Sequence, residues 1–505
     1  MANPNPNDVA IKIKAMLEEE EAQPLIAHEC CIYKVPHPIR KVNEDAYTPK
    51  VVSIGPFHHG DPNLLKMESL KRTYCREFIK RSETNSETLI SSVQELEPKI
   101  RGCYSDDIKL TEEEHVMVIL VDCCFLLEYG LRNNSDNWIH HDDAISLSPR
   151  LRGDIEDDLF LLENQVPYFV LEKLYNLAFD STLRSTGGCS HPSLLRLALR
   201  FFFPDNSDEL TLTNVGRIAH FTDLLRKTLL RSSHLLKPSA SGSGCSREAE
   251  LTHLYSATEL NEAGVKFEVN ENSQCLLDLE LSVHTFRIPF IRVEDWTEIF
   301  LRNLLAFEQC HCIHESYIAD YVAVFDFLIN TDKDVDLLIK KGIIENWLGD
   351  NNAVAEMFNS LGINIANPDF NLQYSCIFED LNAFCAHPWN KGVATLRRDY
   401  CNTPWKTVAS IAGIFLLILT VIQTECCIYR VPRKIRKLNE DAYTPEVVSI
   451  GPFHHGNQNL LDMEDHKRLY CRQFIERSEM KNLESFVSCV QELEAKVRGC
   501  YSHDV

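Results

Sequence analysis

Two short stretches carry residue types that could act in catalysis. GPFHHG places His58 and His59 side by side in a glycine-flanked turn, and the same six residues recur at 451–456. LLENQVPYF places Glu163, Asn164 and Gln165 in an otherwise apolar stretch, where the carboxylate of Glu163 could serve as a catalytic group. An enzyme of unrecognised type would therefore use Glu163 and the His58–His59 turn. The favoured interpretation is structural: the histidines hydrogen-bond backbone groups in a tight turn, and Glu163, Asn164 and Gln165 form an internal hydrogen-bond network.

A third stretch, CHCIHE at 310–315, is the densest group of potential metal ligands in the chain. On a helix, Cys310 and His314 would lie on one face, where a thiolate and an imidazole could bind a soft divalent ion. A closed zinc site needs two further ligands, which the neighbouring sequence does not supply. A metal-binding module around Cys310–His314 is therefore an alternative, and an amphipathic helix with inward cysteines and outward histidines is favoured.

The sequence contains no complete catalytic motif. VMVILVD looks like the apolar strand of a nucleotide hydrolase, but the phosphate-binding loop GxxxxGK[ST] is missing, as are GxGxxG, HExxH and GxSxG. The formal net charge of −23, from 51 basic and 74 acidic residues, disfavours a non-specific nucleic-acid binder, which needs a basic face. We therefore predict that the protein is not an enzyme, has no catalytic, cofactor-binding or metal-binding residues, and has no nucleic-acid partner.

Helical periodicity dominates the chain and predicts a mainly α fold. A polar lead-in covers 1–27 without the apolar core of a secretory signal, and one large helical domain is expected over 28–400. VMVILVDCCFLLE predicts a buried helix, DIEDDLFLLENQVPYFVLEKL another with a break at Pro167, and ATELNEAG a short helix that ends at its glycine. VKFEV, CLLDLEL and TFRIPFIRV predict a small β-sheet near 265–293, and the composition of 232–250 is typical of a flexible linker.

Thr407 to Thr424 forms a run of eighteen residues without a charge, preceded by Trp405. At a rise of about 1.5 Å per residue, a helix of this length spans about 27 Å, close to the hydrocarbon thickness of a bilayer. Trp405 stands where an interfacial anchor belongs. We therefore expect a single transmembrane helix over 405–424 with the lipid bilayer as a partner. The protein would be a single-pass membrane protein, for example of the plasma membrane, with its main domain in the cytosol.

The residues after this run repeat the beginning of the chain. Glu29–Glu83 aligns without gaps to Glu425–Glu479 with 42 of 55 positions identical, and the likeness continues, so that 425–505 is a truncated repeat of 29–108. The repeat lacks counterparts of the apolar helices against which its own helices would pack. It could displace its twin as in a domain swap, but the predicted membrane helix would separate the two copies. We therefore expect that the repeat does not fold independently, and that it arose by tandem duplication or gene fusion.

Five segments together resemble the plant family known as domain of unknown function 247, or uncharacterised protein family 0481. They stand in the family's order over about residues 28–424: IYKVPHPIRKVNEDAYTPKVVSIGPFHHG, MVILVDCCFLLE, DLFLLENQVPYFVLEKL, ATELNEAGVKF and WKTVASIAGIFLLILTVIQT. The resemblance implies a plant protein with a mostly helical domain and a C-terminal hydrophobic anchor, without an established activity or cofactor. Some relatives are associated with pollen–stigma recognition, which implies a recognition role. This chain departs from the pattern because 81 residues follow the expected anchor.

The fold class we predict is therefore mainly α, with one large helical domain, a small β-sheet and a single C-terminal transmembrane helix. The predicted function is that of a membrane-anchored, non-enzymatic recognition or scaffold protein with a protein partner.

Overall fold

The computed structural model describes, besides a few isolated residues, residues 29–134, 143–179, 193–202, 216–231, 254–366 without 272 and 274, 370–388 and 412–423. The predicted lead-in 1–27 (apart from Lys14), the predicted linker 232–250 and the repeat 425–505 lie outside the described residues. The chain forms two units, of which the first ends at Thr395 and the second begins at Leu396.

The first half of the larger unit is helical and surrounds one long buried helix. Its helices are α1 His37–Arg40, α2 Leu65–Arg81, α3 Ser86–Arg101, α4 Glu112–Asn133, α5 Pro149–Asp158, α6 Tyr168–Ala178, α7 Leu194–Phe202 and α8 Phe221–Arg231, with a 3₁₀ turn at Glu44–Tyr47. Helix α4 begins with a capping box, in which the Thr111 hydroxyl accepts from the N–H of Glu114 and the Glu114 carboxylate accepts from the N–H of Thr111. Helices α2, α3, α6 and α7 pack around α4, which confirms the predicted buried helix.

The second half of this unit adds two small sheets to the helices. Its elements are α9 Ala257–Ala263, β1 Lys266–Val269, β2 Glu280–Ser282, β3 Thr285–Ile288, β4 Ile291–Val293, α10 Asp295–His311, α11 Tyr317–Leu328, α12 Asp332–Lys340, β5 Ile344–Asn346, α13 Asn351–Leu361 and α14 Leu372–Ala386. Strand β3 lies between β1, which is parallel to it, and β2, which is antiparallel. The predicted small sheet is confirmed, but TFRIPFIRV divides at Pro289, which has no N–H to donate, and β4 pairs in parallel with the later β5.

The predicted helix around LLENQVPYF is divided more widely than expected. Helix α5 ends at Asp158 and α6 begins at Tyr168, so residues 159–167 form a loop that contains the polar residues. Pro167 is the N-cap residue of α6, where the lack of an N–H costs nothing. The break in the predicted helix therefore begins after Asp158, well before Pro167, where it was expected.

Hydrophobic clusters form the core of both halves of the larger unit. Phe125 and Tyr175 lie in the cluster of the first half, and Phe325 and Phe358 in that of the second. A smaller cluster contains Tyr47, Leu162 and Phe307, and it joins the N-terminal segment and the 159–167 loop to α10. This third cluster borders the polar groups that follow.

The segment predicted to cross a membrane is helical over 412–423 in the described residues. Among the described residues, none of the helices combines the length and the apolar character that a membrane span requires. The prediction of a transmembrane helix over 405–424 is therefore wrong, whereas the mainly helical fold with a small sheet is confirmed.

Candidate functional site

Residues 50–55 belong to neither helix nor strand, yet buried side chains bind their backbone groups. Asp158, at the end of α5, accepts three backbone hydrogen bonds: Oδ1 from Lys50 at 2.7 Å, and Oδ2 from Val51 and Val52 at 2.8 Å each. Burial raises the pKa of Asp158 to about 6, and it outweighs the three donors, which lower the pKa. Asp158 thus accepts the backbone hydrogen bonds that the carbonyl oxygens of a neighbouring strand would accept in a β-sheet.

Two amide side chains of the 159–167 loop extend this network. Asn164 accepts from the N–H of Ile54 at 2.7 Å and donates to the carbonyl oxygen of Val52 at 3.0 Å. Gln165 donates to two carbonyl oxygens nearby and accepts from the N–H of Phe221 at 3.1 Å. The amides are therefore parts of an internal hydrogen-bond network, the interpretation that the sequence favoured.

Glu163 meets the N-terminal segment at three points. Its Oε1 accepts from the N–H of Val35 at 2.6 Å and lies 2.5 Å from Nη2 of Arg40, and its Oε2 lies 3.2 Å from Nε2 of His58. His58 approaches off the direction of a hydrogen bond, so its Nε2 is buried without a hydrogen-bond partner. Burial would raise the pKa of Glu163, but these three groups outweigh it and hold the pKa below its ordinary value. The structure thus brings together Glu163 and His58, whereas His59 is exposed.

The geometry of this pair does not suit catalysis. Both oxygens of Glu163 are engaged, 4% of its side chain is exposed, and a carboxylate with a lowered pKa is a weak base. One cavity of about 20 Å³ lies between apolar residues of α4, α6 and α7, and another of about 330 Å³ lies beside His284 and Phe384. Neither is lined by Glu163 or His58. We interpret the pair as a structural contact that holds the 159–167 loop against the N-terminal segment.

Lys71 of α2 and Asp122 of α4 were not among the predicted site residues. Nζ of Lys71 lies 2.6 Å from Oδ1 of Asp122, both side chains are fully buried, and Nζ also donates to the carbonyl oxygen of Ser53 at 2.7 Å. Oδ2 of Asp122 accepts from the N–H of Gly55 at 2.8 Å, and burial raises the pKa of Asp122 despite the ammonium beside it. A lone aspartate in VMVILVDCCFLLE could have indicated a buried pair, since a buried carboxylate requires a partner. Lys71 stands among several basic residues, so the sequence does not single it out.

The CHCIHE stretch does not form one helix. Helix α10 ends at His311, so Cys310 and His314 are not one turn apart on a helical face, as the metal alternative required. His311 stacks on Phe307 and its Nδ1 lies 3.0 Å from the hydroxyl of Tyr33. Burial raises the pKa of Cys310 to about 11, which disfavours the thiolate that a metal would bind. In the part of the chain that the structure describes, no three His, Cys, Asp or Glu side chains gather as a metal site.

An exposed aromatic patch, formed by Arg292, Trp296 and Trp347, lies at the end of the β4–β5 sheet. The guanidinium of Arg292 lies 4.9 Å from the ring of Trp347, a residue that is 61% exposed. Arg292 also pairs with Glu345, its partner across the sheet, at 2.7 Å. Trp296 donates to Glu294 at 3.1 Å, and Glu294 lies 3.8 Å from Arg292. The patch is thus held in place by contacts among its own residues and their acidic neighbours.

Known plant proteins share much of this sequence. The family model described as plant protein of unknown function matches residues 32–419 and, as a second segment, 428–505. The UPF0481 protein At3g47200 of Arabidopsis thaliana is 31% identical over 420 residues, which cover 79% of this chain and 86% of the relative. The UPF0481 protein At3g02645 of the same plant is 24% identical over 508 residues, which cover 82% and 93%. No solved structure matches the chain. With its buried helix, its polar 159–167 loop and these matches, the chain belongs to the plant family of domain of unknown function 247.

Proposed function

We propose that the protein is a non-enzymatic recognition protein whose helical domain binds a protein partner through the aromatic patch. The observation that carries the proposal is the contact of Arg292 with Trp347, whose indole ring is mostly exposed. Tryptophan and arginine are the residue types that most often dominate the binding energy of protein interfaces. A solvent-exposed indole has apolar area to bury against a partner, and it buries little in the folded domain itself.

The side chains of the aromatic patch are also restricted in their motion before a partner binds. Glu345 and the indole ring restrict the guanidinium of Arg292, so a partner would immobilise a side chain that has already lost much of its rotamer freedom. Trp296 is 37% exposed and stacks on Phe160 at 5.7 Å, which restricts its ring in the same way. A binding surface of this kind loses less entropy on association than one built from mobile side chains.

The enzyme alternative has weaker support. The candidate base Glu163 holds Val35, Arg40 and His58, so a substrate would have to displace contacts that stabilise the fold. The metal alternative loses the helical face on which Cys310 and His314 would lie together. The aromatic patch has neither difficulty, because its exposed groups are available without unfolding.

Proximity labelling in plant cells tests the proposal with a matched pair of variants. Full-length protein fused to a biotin ligase is compared as wild type, Trp347→Ala and Leu65→Ala, the last being an exposed apolar residue of α2 (53% exposed). We expect a partner to be labelled by wild type and Leu65→Ala and lost with Trp347→Ala. Direct binding of that partner to purified protein should weaken about 30-fold with Trp347→Ala, the effect of a hot-spot residue worth about 2 kcal/mol.

Identical sets of labelled proteins for all three forms would contradict the proposal. So would equal affinity of wild type and Trp347→Ala for every labelled protein that binds the purified domain. The labelled proteins also report the compartment, for which the cytosolic location of the domain stays a prediction.

A further inference from the structure

The turn between β2 and β3 holds a valine in an unfavourable backbone conformation. Ser282 pairs with Thr285 across the two strands, so the turn consists of Val283 and His284 alone. Val283 has a φ of +57°, at a turn position that glycine or asparagine usually takes, and its branched Cβ makes this conformation costly. The residue is also 86% exposed. The turn thus combines backbone strain with an exposed apolar side chain, and neither stabilises the domain by itself.

Val283 lines the cavity of about 330 Å³ that lies beside His284 and Phe384. This volume falls within the range of about 300–1,000 Å³ that is typical of small-molecule sites. The apolar part of the lining comes from the residue before β1, the β2–β3 hairpin and α14, with Val265, Leu281, Val283, Leu381 and Phe384. Strained backbone positions concentrate at ligand sites, so the valine and the cavity together indicate a binding site.

Two polar side chains, those of His284 and Asp380, complete the lining. Both residues are exposed, and the ring centroids of His284 and Phe384 lie 4.3 Å apart. Among the residues that the structure describes, neither polar side chain has a hydrogen-bond or ion-pair partner. Asp380 thus differs from Asp158 and Glu163, whose carboxylates bind groups of the fold itself. A few polar groups beside an apolar wall are what orient a ligand in a small-molecule site.

We propose that this cavity binds a small organic amine, in which a protonated nitrogen is attached to an apolar ring or chain. The ammonium group pairs with the carboxylate of Asp380, and the face of an aromatic ring such as that of Phe384 also attracts a cation. The apolar body contacts Leu281 and Leu381 and covers the exposed side chain of Val283. A carboxylate ligand is disfavoured, since it would meet Asp380 with a like charge.

Methyl NMR of the full-length protein, labelled with carbon-13 at its leucine and valine methyl groups, tests the proposal with three probes of similar shape. Phenethylamine carries a positive charge, 2-phenylethanol none and phenylacetate a negative charge. We expect phenethylamine to shift the methyl signals of Leu281, Val283 and Leu381 with a Kd of about 1 mM, as for a ligand of this size. 2-Phenylethanol should bind about fivefold more weakly, and phenylacetate should cause no shift at the same concentrations.

Two variants connect the binding to the cavity. Asp380→Asn changes an exposed residue, so the fold is retained. It should weaken the binding of phenethylamine about fivefold and leave that of 2-phenylethanol unchanged. Val283→Gly places at φ +57° a residue type that tolerates this conformation. It should raise the melting temperature, because the relief of strain exceeds the added freedom of the unfolded chain, and it should weaken both probes about threefold, because part of the apolar wall is lost.

Trp347→Ala is the matched control, because it removes an exposed indole of the aromatic patch, which shares no residue with the cavity. It should leave the affinity for phenethylamine unchanged. A variant that loses a protein partner but still binds the amine therefore separates this proposal from that of partner binding through the patch.

The amine site is wrong if phenethylamine and 2-phenylethanol bind equally, if Asp380→Asn leaves both affinities unchanged, or if the shifted methyl groups lie outside the cavity. A lysine side chain of a protein partner is the rival occupant, and Nα-acetyl-lysine N-methylamide represents it. Tighter binding of this probe than of phenethylamine would assign the cavity to a protein partner instead. A lowered melting temperature of Val283→Gly would contradict the argument from backbone strain.

Discussion

Replacement of Asp158 by asparagine should change the pH dependence of stability in a defined direction. Asp158→Asn has nearly the same shape, but its amide oxygen can replace only one of the two carboxyl oxygens that accept from Lys50, Val51 and Val52; the amide nitrogen cannot accept in place of the other, protonated or not. An unpaired buried donor costs about 1–3 kcal/mol. At pH values where the carboxyl of the wild type is still protonated, the variant should therefore be less stable than the wild type by about 1–3 kcal/mol.

The size of the pH effect follows from burial. The ordinary pKa of an aspartate is 3.8, and burial raises the pKa of Asp158 to about 6 in the folded protein. Between these values the folded state holds the proton more tightly than the unfolded state, so the contribution of Asp158 to stability falls as the pH rises from about 4 to about 6. The step corresponds to about 3 kcal/mol. Asparagine does not titrate, so the variant lacks this loss.

Urea unfolding followed by far-UV circular dichroism at pH 4, 5, 6 and 7 measures the difference between wild type and Asp158→Asn. We expect the advantage of the wild type to shrink by about 3 kcal/mol between pH 4 and pH 7. Asp157→Asn is the control, because its carboxylate pairs with the half-exposed ammonium of Lys50 and such pairs contribute at most about 1 kcal/mol. An advantage that grows with pH would refute the reasoning, since the three N–H donors would then outweigh burial.

Two further substitutions test other buried carboxylates. Asp122→Leu leaves the buried ammonium of Lys71 with Glu68, at 2.6 Å, as its remaining carboxylate and leaves the N–H of Gly55 without its acceptor. It should cost about 1–3 kcal/mol in urea unfolding; Asp122→Asn, which keeps an acceptor of the same shape, should cost less, and equal losses would contradict the reasoning. Burial would raise the pKa of Asp334, but hydrogen bonds from Thr258 and Thr331 outweigh burial, so the pKa lies below its ordinary value. The carboxylate therefore stabilises the fold above about pH 4, and this contribution is lost as the pH falls through the pKa of the folded state. The advantage of wild type over Asp334→Asn should therefore shrink below pH 4, and a constant advantage would count against the lowered pKa.

Local chemistry made part of the fold predictable. The start of α4 lies where Thr111 and Glu114 form a capping box and acidic residues fill the first turn. The short helix α9 ends at Gly264, whose φ of +113° suits a residue without a side chain. These elements depend on neighbours in sequence, so a single sequence reveals them.

The candidate site was less predictable because its partners are distant in sequence. Asp158 binds Lys50, 108 residues earlier, and Lys71 pairs with Asp122, 51 residues later. From the sequence, Glu163 and His58 were expected to meet only in the enzyme alternative. In the structure the two side chains do meet, but the contact joins two parts of the fold. At 405–424, the lack of charge predicted a membrane span, whereas none of the helices in the described residues is long and apolar enough for one.

The prolines of the N-terminal segment explain why carboxylates occupy these positions. Pro36, Pro49 and Pro56 interrupt residues 29–60, and a proline contributes no donor to a sheet ladder. A segment so divided cannot rely on a neighbouring strand, yet its buried N–H groups still require acceptors. Carboxylates from α4, α5 and the 159–167 loop supply them, and each needs a cation or several N–H groups to be stable when buried. Acidic residues that resemble catalytic groups in the sequence are therefore what a proline-rich segment requires in order to be buried at all.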